Sequence, residues 1–195
     1  TSVAYKIGNK KMYCYEGSIF VAGSSIQWLR DKLLMFKDSK DTDKLYSNSN
    51  KDENVISIPA LTGLGAPHWQ PQVRGAFFGL TRNTSRNEIV KSILESLGFQ
   101  TLELVNCMEK DSKIKIKEMR VDGGMTKNDS FVQSLCNILQ IKIIKPNNTE
   151  TTSLGVAYLS GLHSGLIKNV DEISKLWNRK KVYNSKINKS IIKKQ

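Results

Sequence analysis

Apolar and polar residues alternate in "SVAYKI" (residues 2–7) and again in "KMYCYEG" (residues 11–17). Gly8-Asn9-Lys10 separates the two runs, so the pattern predicts a β-hairpin closed by a Gly/Asn turn. Farther on, Ile26, Leu29, Leu33 and Phe36 fall on one helical face and predict a helix over residues 23–36. The stretch "KDSKDTDKLYSNSNKDEN" (residues 37–54) is polar and low in complexity and reads as a surface insertion or loop. "VISIPAL" has the look of a buried strand stopped by Pro59, and "GAFFGL" of a second strand. Between them "TGLGAPHWQPQVRG" is too broken by glycine and proline for either element, and reads as an ordered loop with Trp69 as its aromatic anchor.

The second half is more regular. Ser85 and Glu88 have the spacing of a capping box, opening a long helix whose apolar face includes Ile89, Ile93, Leu97 and Leu104. Gly98 lies inside that helix at a cost of about 1 kcal/mol relative to alanine, which points to a neighbouring chain packed close. Then "MRVD", "GGMTKND", "SFVQSLCNILQ" and "IKIIKP" read as strand, turn, helix and strand, a unit that builds a sheet with helical cover. A further helix in "TETTSLGVAYLSGLHSGLI" carries small residues on one face, predicting close approach to a neighbour. These elements predict one α/β domain over residues 1–178, with helices packed on a mixed sheet. Residues 179–195 form a basic tail without regular apolar spacing, expected to be frayed.

Composition alters this picture little. The 195 residues carry 30 Lys+Arg against 18 Asp+Glu, a formal net charge of +12. That excess alone would fit an anionic partner such as nucleic acid. The lysines are scattered, however, with no basic stripe interleaved with aromatics, so a nucleic-acid-binding module is the weaker alternative. Cys14, Cys107 and Cys136 are odd in number and far apart, which speaks against a disulfide framework or zinc site and for a reducing, cytoplasmic setting. His68 and His163 lack ligand spacing. No run is long and apolar enough to span a bilayer. The opening at Thr1, without Met and almost at once in strand pattern, gives the expectation of a piece cut from a longer protein.

Two constellations carry candidate chemistry. Gly23 and Gln27 lie one helical turn apart, where glycine lets a flat ligand touch the backbone and the glutamine amide both donates and accepts. In "DGGMTKN", the N–H groups after Asp122 lead from a Gly-Gly turn into a helix and are placed to cradle phosphate, with Asn128 free to cap the helix or meet a ligand. By themselves both fit an ordinary helix start and an ordinary capped turn better than a site. No nucleophile with a partner base and no paired carboxylates appear, so spacing alone goes no further than ligand binding.

Five ordered blocks change those odds. "YCYEGSIFVAGSSIQWLRD", "PALTGLGAPHWQPQVRGAFFGLTR", "VDGGMTKN" and "ETTSLGVAYLSGL" resemble successive blocks of the FGGY family of carbohydrate kinases. Gly75, Phe77, Gly79, Leu80, Glu88-Ile89 and Ser92-Ile93-Leu94-Glu95 resemble that family's second signature. The resemblance runs from about Tyr13 to Leu166. It implies a ribonuclease-H-like domain of the actin/hexokinase-like ATPase class, the second of two, with ATP/ADP in the cleft between them and Mg²⁺ bound with the ATP. By the same resemblance the nucleotide contacts map onto Gly23, Gln27, Gly124 and Asn128, each of which keeps the family residue type, while Asp129 stands where relatives commonly have Asn. The "GAPHW" form resembles the branch of the family that phosphorylates glycerol; pentulose kinases usually have a Gly-Glu-Arg loop there, and another sugar kinase of the family is the nearest alternative, with a retained, non-catalytic kinase half acting as a scaffold a further one. The family's catalytic Asp and its polyol-binding residues have their places upstream of Thr1. The chain alone is therefore expected to be inactive and to work with the N-terminal half of the same kinase, within an enzyme that the resemblance expects to be a homo-oligomer.

Overall fold

The computed structural model describes residues 1–188. Strands β1 (Ser2–Ile7) and β2 (Lys10–Cys14) form the expected antiparallel hairpin, with Ile7 opposite Lys10 and Gly8 at φ +57° in the two-residue turn. Glycine takes that left-handed conformation without steric cost. Helix α1 (Gly23–Asp31) starts where expected but stops five residues short of Phe36. Leu34 turns the chain at φ +52°, and Met35 N–H returns to the carbonyl of Leu29 at 3.1 Å. Phe36 is buried nonetheless, so its helical spacing was a coincidence of a chain that doubles back onto the core.

The stretch read as a polar loop contains helix α2 (Asp41–Ser47). Asp38 and Asp41 start it by exchanging contacts with backbone N–H groups, Lys40 N to Asp38 at 2.9 Å and Asp38 N to Asp41 at 3.1 Å. Leu45 and Thr42 then face inward. One buried leucine with Tyr46 half-buried beside it suffices because the helices over residues 86–112 and 129–139 supply the other side. Strands β3 (Ile56–Ile58) and β4 (Ala76–Phe78) pair antiparallel across the Gly/Pro-rich loop. That loop is ordered, as expected, by paired bonds between Leu64 and Gln70 at 2.9 and 3.0 Å. Its anchor is different: Trp69 is 69% exposed, while Gly65 lies so close to Phe20 that a Cβ there would meet the ring at 2.8 Å.

Helix α3 (Arg86–Ser112) opens with the predicted capping box. Ser85 N–H and hydroxyl both donate to Glu88, at 2.7 and 2.6 Å, and Asn50 N–H adds a third bond at 2.8 Å. Burial raises the Glu88 pKa, but these donors outweigh it and hold the carboxyl at about 2. Gly98 is in close contact as expected: Ile138 of the facing helix would be 2.6 Å from an added Cβ. The strand–helix–strand unit is also present, as β5 (Glu118–Arg120), α4 (Asp129–Leu139) and β6 (Lys142–Pro146), with β5 and β6 parallel. Val90, Leu94, Val132, Leu135, Cys136 and Ile143 form the centre of one core with Leu29 of α1.

Two expectations about the C-terminal part fail. Helix α5 (Thr151–His163) forms, but most of it does not pack closely on a neighbour. A Cβ at Gly155 would meet nothing within 4 Å, and Val156 and Leu159 are exposed. Only Gly161 is tight, against Ile167 just beyond the helix end. After α6 (Val170–Leu176), residues 179–183 are not frayed. They form β7 (Arg179–Tyr183), antiparallel to β6, and give a mixed sheet ordered β5-β6-β7. Tyr183 is buried in the core, an anchor that the surrounding lysines conceal in the sequence. Residues 184–188 of the expected tail follow without helix or strand, and residues 189–195 lie outside the described residues.

Candidate functional site

The first turn of α1 and the turn after β5 come together in space. Between β5 and α4 the chain passes Asp122 and Gly123, the latter at φ +82°, then makes a single 3-10 turn over Gly124–Lys127. Thr126 fixes that turn internally: its N–H and its hydroxyl both donate to the carbonyl of Gly123, at 3.2 and 2.7 Å. Met125 reaches across to α1, where its sulfur would lie 3.8 Å from a Cβ at Gly23. Gly23 thus lies against Met125, the residue next to Gly124 in the turn. Gly124 is exposed with open space where a side chain would be, and Gln27, one turn along α1, is exposed too.

The two helix starts at this surface are unlike each other. At α4, Asn128 accepts from Phe131 N–H at 2.7 Å, and Asp43 of α2 accepts from Ser130 N–H at 2.9 Å. Asp129 adds a further negative charge in the first turn. The α4 start is therefore closed by its own caps, and Asp43 offsets part of its partial positive charge, while the Asp129 carboxylate is paired with Lys145 and Lys181. At α1 the preceding residue is Ala22, which offers no side-chain cap, and the first turn holds no acid. Ser25 does not fill the gap, since its hydroxyl donates to the carbonyl of Ala22 at 2.6 Å. The uncapped polar end is at Gly23, beside Met125 of the turn.

Asn128 is at the site, but its side chain points inward. Its amide oxygen is the α4 cap, and its nitrogen donates to Thr42 of α2 at 3.0 Å, in a buried setting. Of the two roles open to it in the sequence, the structure shows the cap. Asp122 is exposed and accepts a hydrogen bond from the Thr151 hydroxyl, tying the turn to the start of α5. Gly123 N–H reinforces the tie through the carbonyl of Thr149 at 3.4 Å. Sequence reasoning missed Met125, Thr126, Thr42 and Asp43. Met125 and Thr126 lie within the quoted motif, but nothing in it says which neighbours face the ligand and which face the core.

Other concavities lie elsewhere. One of about 730 Å³ runs between β3 and α3, lined by Ser57, Glu95, Ser96, Phe99 and Gln100. Another of about 840 Å³ is bordered by Asp129, Ser130, Lys91 and Lys181. Neither is lined by Gly23, Gln27, Gly124 or Asn128. The candidate site is an open face, of the kind that forms one wall of a cleft. Among the described residues no cluster of three or more His, Cys, Asp or Glu is arranged to hold a metal ion, and no helix is long and apolar enough to cross a membrane.

Comparison with known proteins gives a consistent result. The model of the C-terminal domain of the FGGY family of carbohydrate kinases matches residues 1–163. The glycerol kinase of Marinomonas sp. (strain MWYL1) is 48% identical over 183 residues, which is 94% of this chain but 37% of that protein. The crystal structure of Plasmodium falciparum glycerol kinase with ADP superposes with a TM-score of 0.89 at 36% identity, covering 98% of this chain and 38% of the other. The xylulose kinase of Lactobacillus acidophilus shares the fold, with a TM-score of 0.75 at 24% identity, covering 90% of this chain and 36% of the other. The chain thus spans somewhat over a third of the length of the relatives it matches.

Proposed function

The chain belongs to the FGGY family of carbohydrate kinases, with the actin/hexokinase-like ATPase fold of its structural neighbours, and from that premise we propose that it is the C-terminal, nucleotide-binding domain of an ATP:glycerol phosphotransferase. The observation that carries this reading is the meeting of Gly23 and the Gly124–Lys127 turn on one open face, bridged by Met125. Two glycines there leave the backbone bare on both sides of a shallow surface, as a flat base and ribose require. Gln27 supplies an adaptable amide at the adenosine end, and the uncapped start of α1 is free to donate to the ligand. Gly124 gives clearance nearer the ribose and phosphates. Asn128 acts by holding the turn in shape, through Phe131 and Thr42.

In this proposal the chain supplies position and the opposite wall supplies chemistry. A glycerol hydroxyl attacks the γ-phosphorus in line, an O–P bond forms, and the bond to the β-phosphate oxygen breaks to give sn-glycerol 3-phosphate and ADP. The hydroxyl proton passes to a carboxylate of the facing domain. Phosphoryl transfer depends chiefly on alignment and charge neutralisation, so a positioning wall is a full share of the mechanism. Mg²⁺ would arrive with ATP and would supply charge neutralisation on the phosphates. The N-terminal half of the same kinase is the proposed partner, and the exposed apolar residues Val3, Tyr13, Val156 and Leu159 fit a chain that is covered when that half is present.

The test is ADP titration by calorimetry on the full-length kinase, with Gly124→Trp beside the wild type. A Cβ at Gly124 meets nothing within 4 Å, so the variant should fold, with its indole directed over the face. Loss of affinity of about a hundredfold or more is expected, and equal binding would remove the turn from the site. Substrate choice is tested separately: preference for a pentulose over glycerol would assign the protein to another branch of the family.

A further inference from the structure

Asp129 follows the candidate turn directly and is the most heavily bonded acid beside it. Its carboxylate accepts from Lys181 Nζ at 2.5 Å, Tyr183 Oη at 2.6 Å and Lys145 Nζ at 3.1 Å. Lys145 comes from β6 and the other two donors from β7, so one side chain gathers two strands onto the first turn of α4. The Lys145 residue and the Tyr183 ring are both buried. Convergence of charge-assisted bonds on one carboxylate fixes its position far better than a single surface ion pair does. Bonds from Lys181 and Tyr183 hold the Asp129 carboxyl well below the usual carboxylate range, and burial followed by the Asp129 bond pushes the Tyr183 hydroxyl up to about 12.

Asp129 also sits one peptide from Asn128, whose carbonyl accepts Val132 N–H at 3.2 Å and whose N–H closes the 3-10 turn on Met125 at 3.1 Å. A shift of the α4 start therefore moves the end of the turn that carries Gly124. We propose that Asp129, with Lys145, Lys181 and Tyr183, is a positioning clamp that couples strand β7 to the nucleotide-facing turn. The proposal rests on the nucleotide reading given above and adds a second element to it. β7 lies on the far side of the sheet from β5 and offers no ligand contact of its own, yet its attachment sets the geometry of the turn. By linkage, nucleotide in the cleft must then tighten β7 as much as β7 tightens the cleft.

The experiment uses the full-length kinase, with ADP calorimetry, steady-state kinetics in ATP and in glycerol, and amide hydrogen exchange across residues 179–183. Asp129→Ala should raise Kd for ADP and KM for ATP about three- to tenfold, leaving KM for glycerol within about twofold. Tyr183→Phe removes one hydroxyl and should move the same quantities less, in the same direction. Asp129→Asn keeps one acceptor oxygen and should fall between Asp129→Ala and the wild type. ADP should slow exchange at residues 179–183 in the wild type and fail to do so in Asp129→Ala. Unchanged nucleotide affinity in folded Asp129→Ala and Tyr183→Phe overturns the clamp, as does equal loss of affinity for ATP and glycerol. Should Asp129→Ala not fold, Tyr183→Phe alone decides. Gly124→Trp separates the two levels: if it binds ADP like the wild type, the nucleotide assignment and the clamp fall together. If it loses ADP while the clamp variants bind normally, only the clamp falls.

Discussion

Helices α4 and α5 are of similar length and both carry leucine, valine or isoleucine with small residues between them, yet they live in different surroundings. α4 buries Val132, Leu135, Cys136, Ile138 and Leu139, and its start is closed by Asn128 and by Asp43 from another helix. α5 buries only Gly161, leaves Val156 and Leu159 outside, and is tied down at its start by the Asp122–Thr151 bond. Apolar spacing shows that a helix has a face to cover; it does not say whether the cover lies in the same stretch of chain. The candidate turn sits on the boundary, with its Asn128 end anchored in the packed region and its Asp122 end leading to the exposed one. That placement suits a cleft wall, rigid behind and open in front.

The sharpest way to break the contrast is to make the same substitution on both helices. Leu135→Ala should cost about 2–5 kcal/mol in urea unfolding, through lost transfer energy and the cavity left beside α3. Leu159→Ala, at a position 54% exposed, should stay within about 0.5 kcal/mol in this chain. Equal losses would mean that α5 is packed after all.

Acid unfolding tests the packed side in another way. Glu88 has its folded pKa depressed from 4.5 to about 2, so its contribution is present above the unfolded value and is lost as pH falls through the folded one. The urea midpoint should therefore drop between about pH 5 and pH 2, by less than the Leu135→Ala loss. In Glu88→Gln the midpoint should start lower and fall less steeply over the same window. An unchanged slope would show that the bonds from Ser85 and Asn50 do not hold Glu88 charged.

Caps give a smaller contrast of the same form. Asn128→Ala should cost about 1–2 kcal/mol, because the residue is buried and serves both Phe131 N–H and Thr42. Asn169 caps α6 in the same way, accepting from Glu172 N–H at 3.0 Å, but α6 buries no residue. Asn169→Ala should cost under about 0.5 kcal/mol, since a frayed exposed helix transmits little to the fold.

What could be read from the chain follows the same boundary. The hairpin turn at Gly8, the capping box at Ser85 and Glu88, the strand–turn–helix–strand unit and the close contact at Gly98 are local rules or one-face patterns, and the structure has them all. α2 was hidden because its only buried apolar residue is Leu45, with Tyr46 half-buried beside it, and its stability comes from α3 and α4, which no local window contains. The end of α1 was misplaced because Leu34 in a left-handed conformation leaves no mark in apolar spacing. β7 was masked by lysines, two of whose neighbours in space, Asp129 and β6, lie more than thirty positions away. At the site, the glycines were legible as bare backbone. The inward turn of Asn128 was not, because one residue type serves as cap and as ligand contact with equal ease.

The smallest effect compares two glycines that sequence alone treats alike. Gly155 and Gly98 both lie inside helices, where replacing glycine with alanine relieves about 0.5–1 kcal/mol of backbone entropy cost. At Gly155 the new methyl would enter open space, so Gly155→Ala should raise stability by about that amount. At Gly98 it would lie 2.6 Å from Ile138 Cδ1, well inside contact distance, so Ile138 must leave its rotamer or the helices must part. The strain should erase the gain and turn Gly98→Ala neutral or destabilising by about 1–3 kcal/mol. Thermal unfolding of the two single variants reads the difference directly. A gain at Gly98 would show that α3 and α4 have slack between them, and with it the rigid backing of the candidate turn would lose its main support.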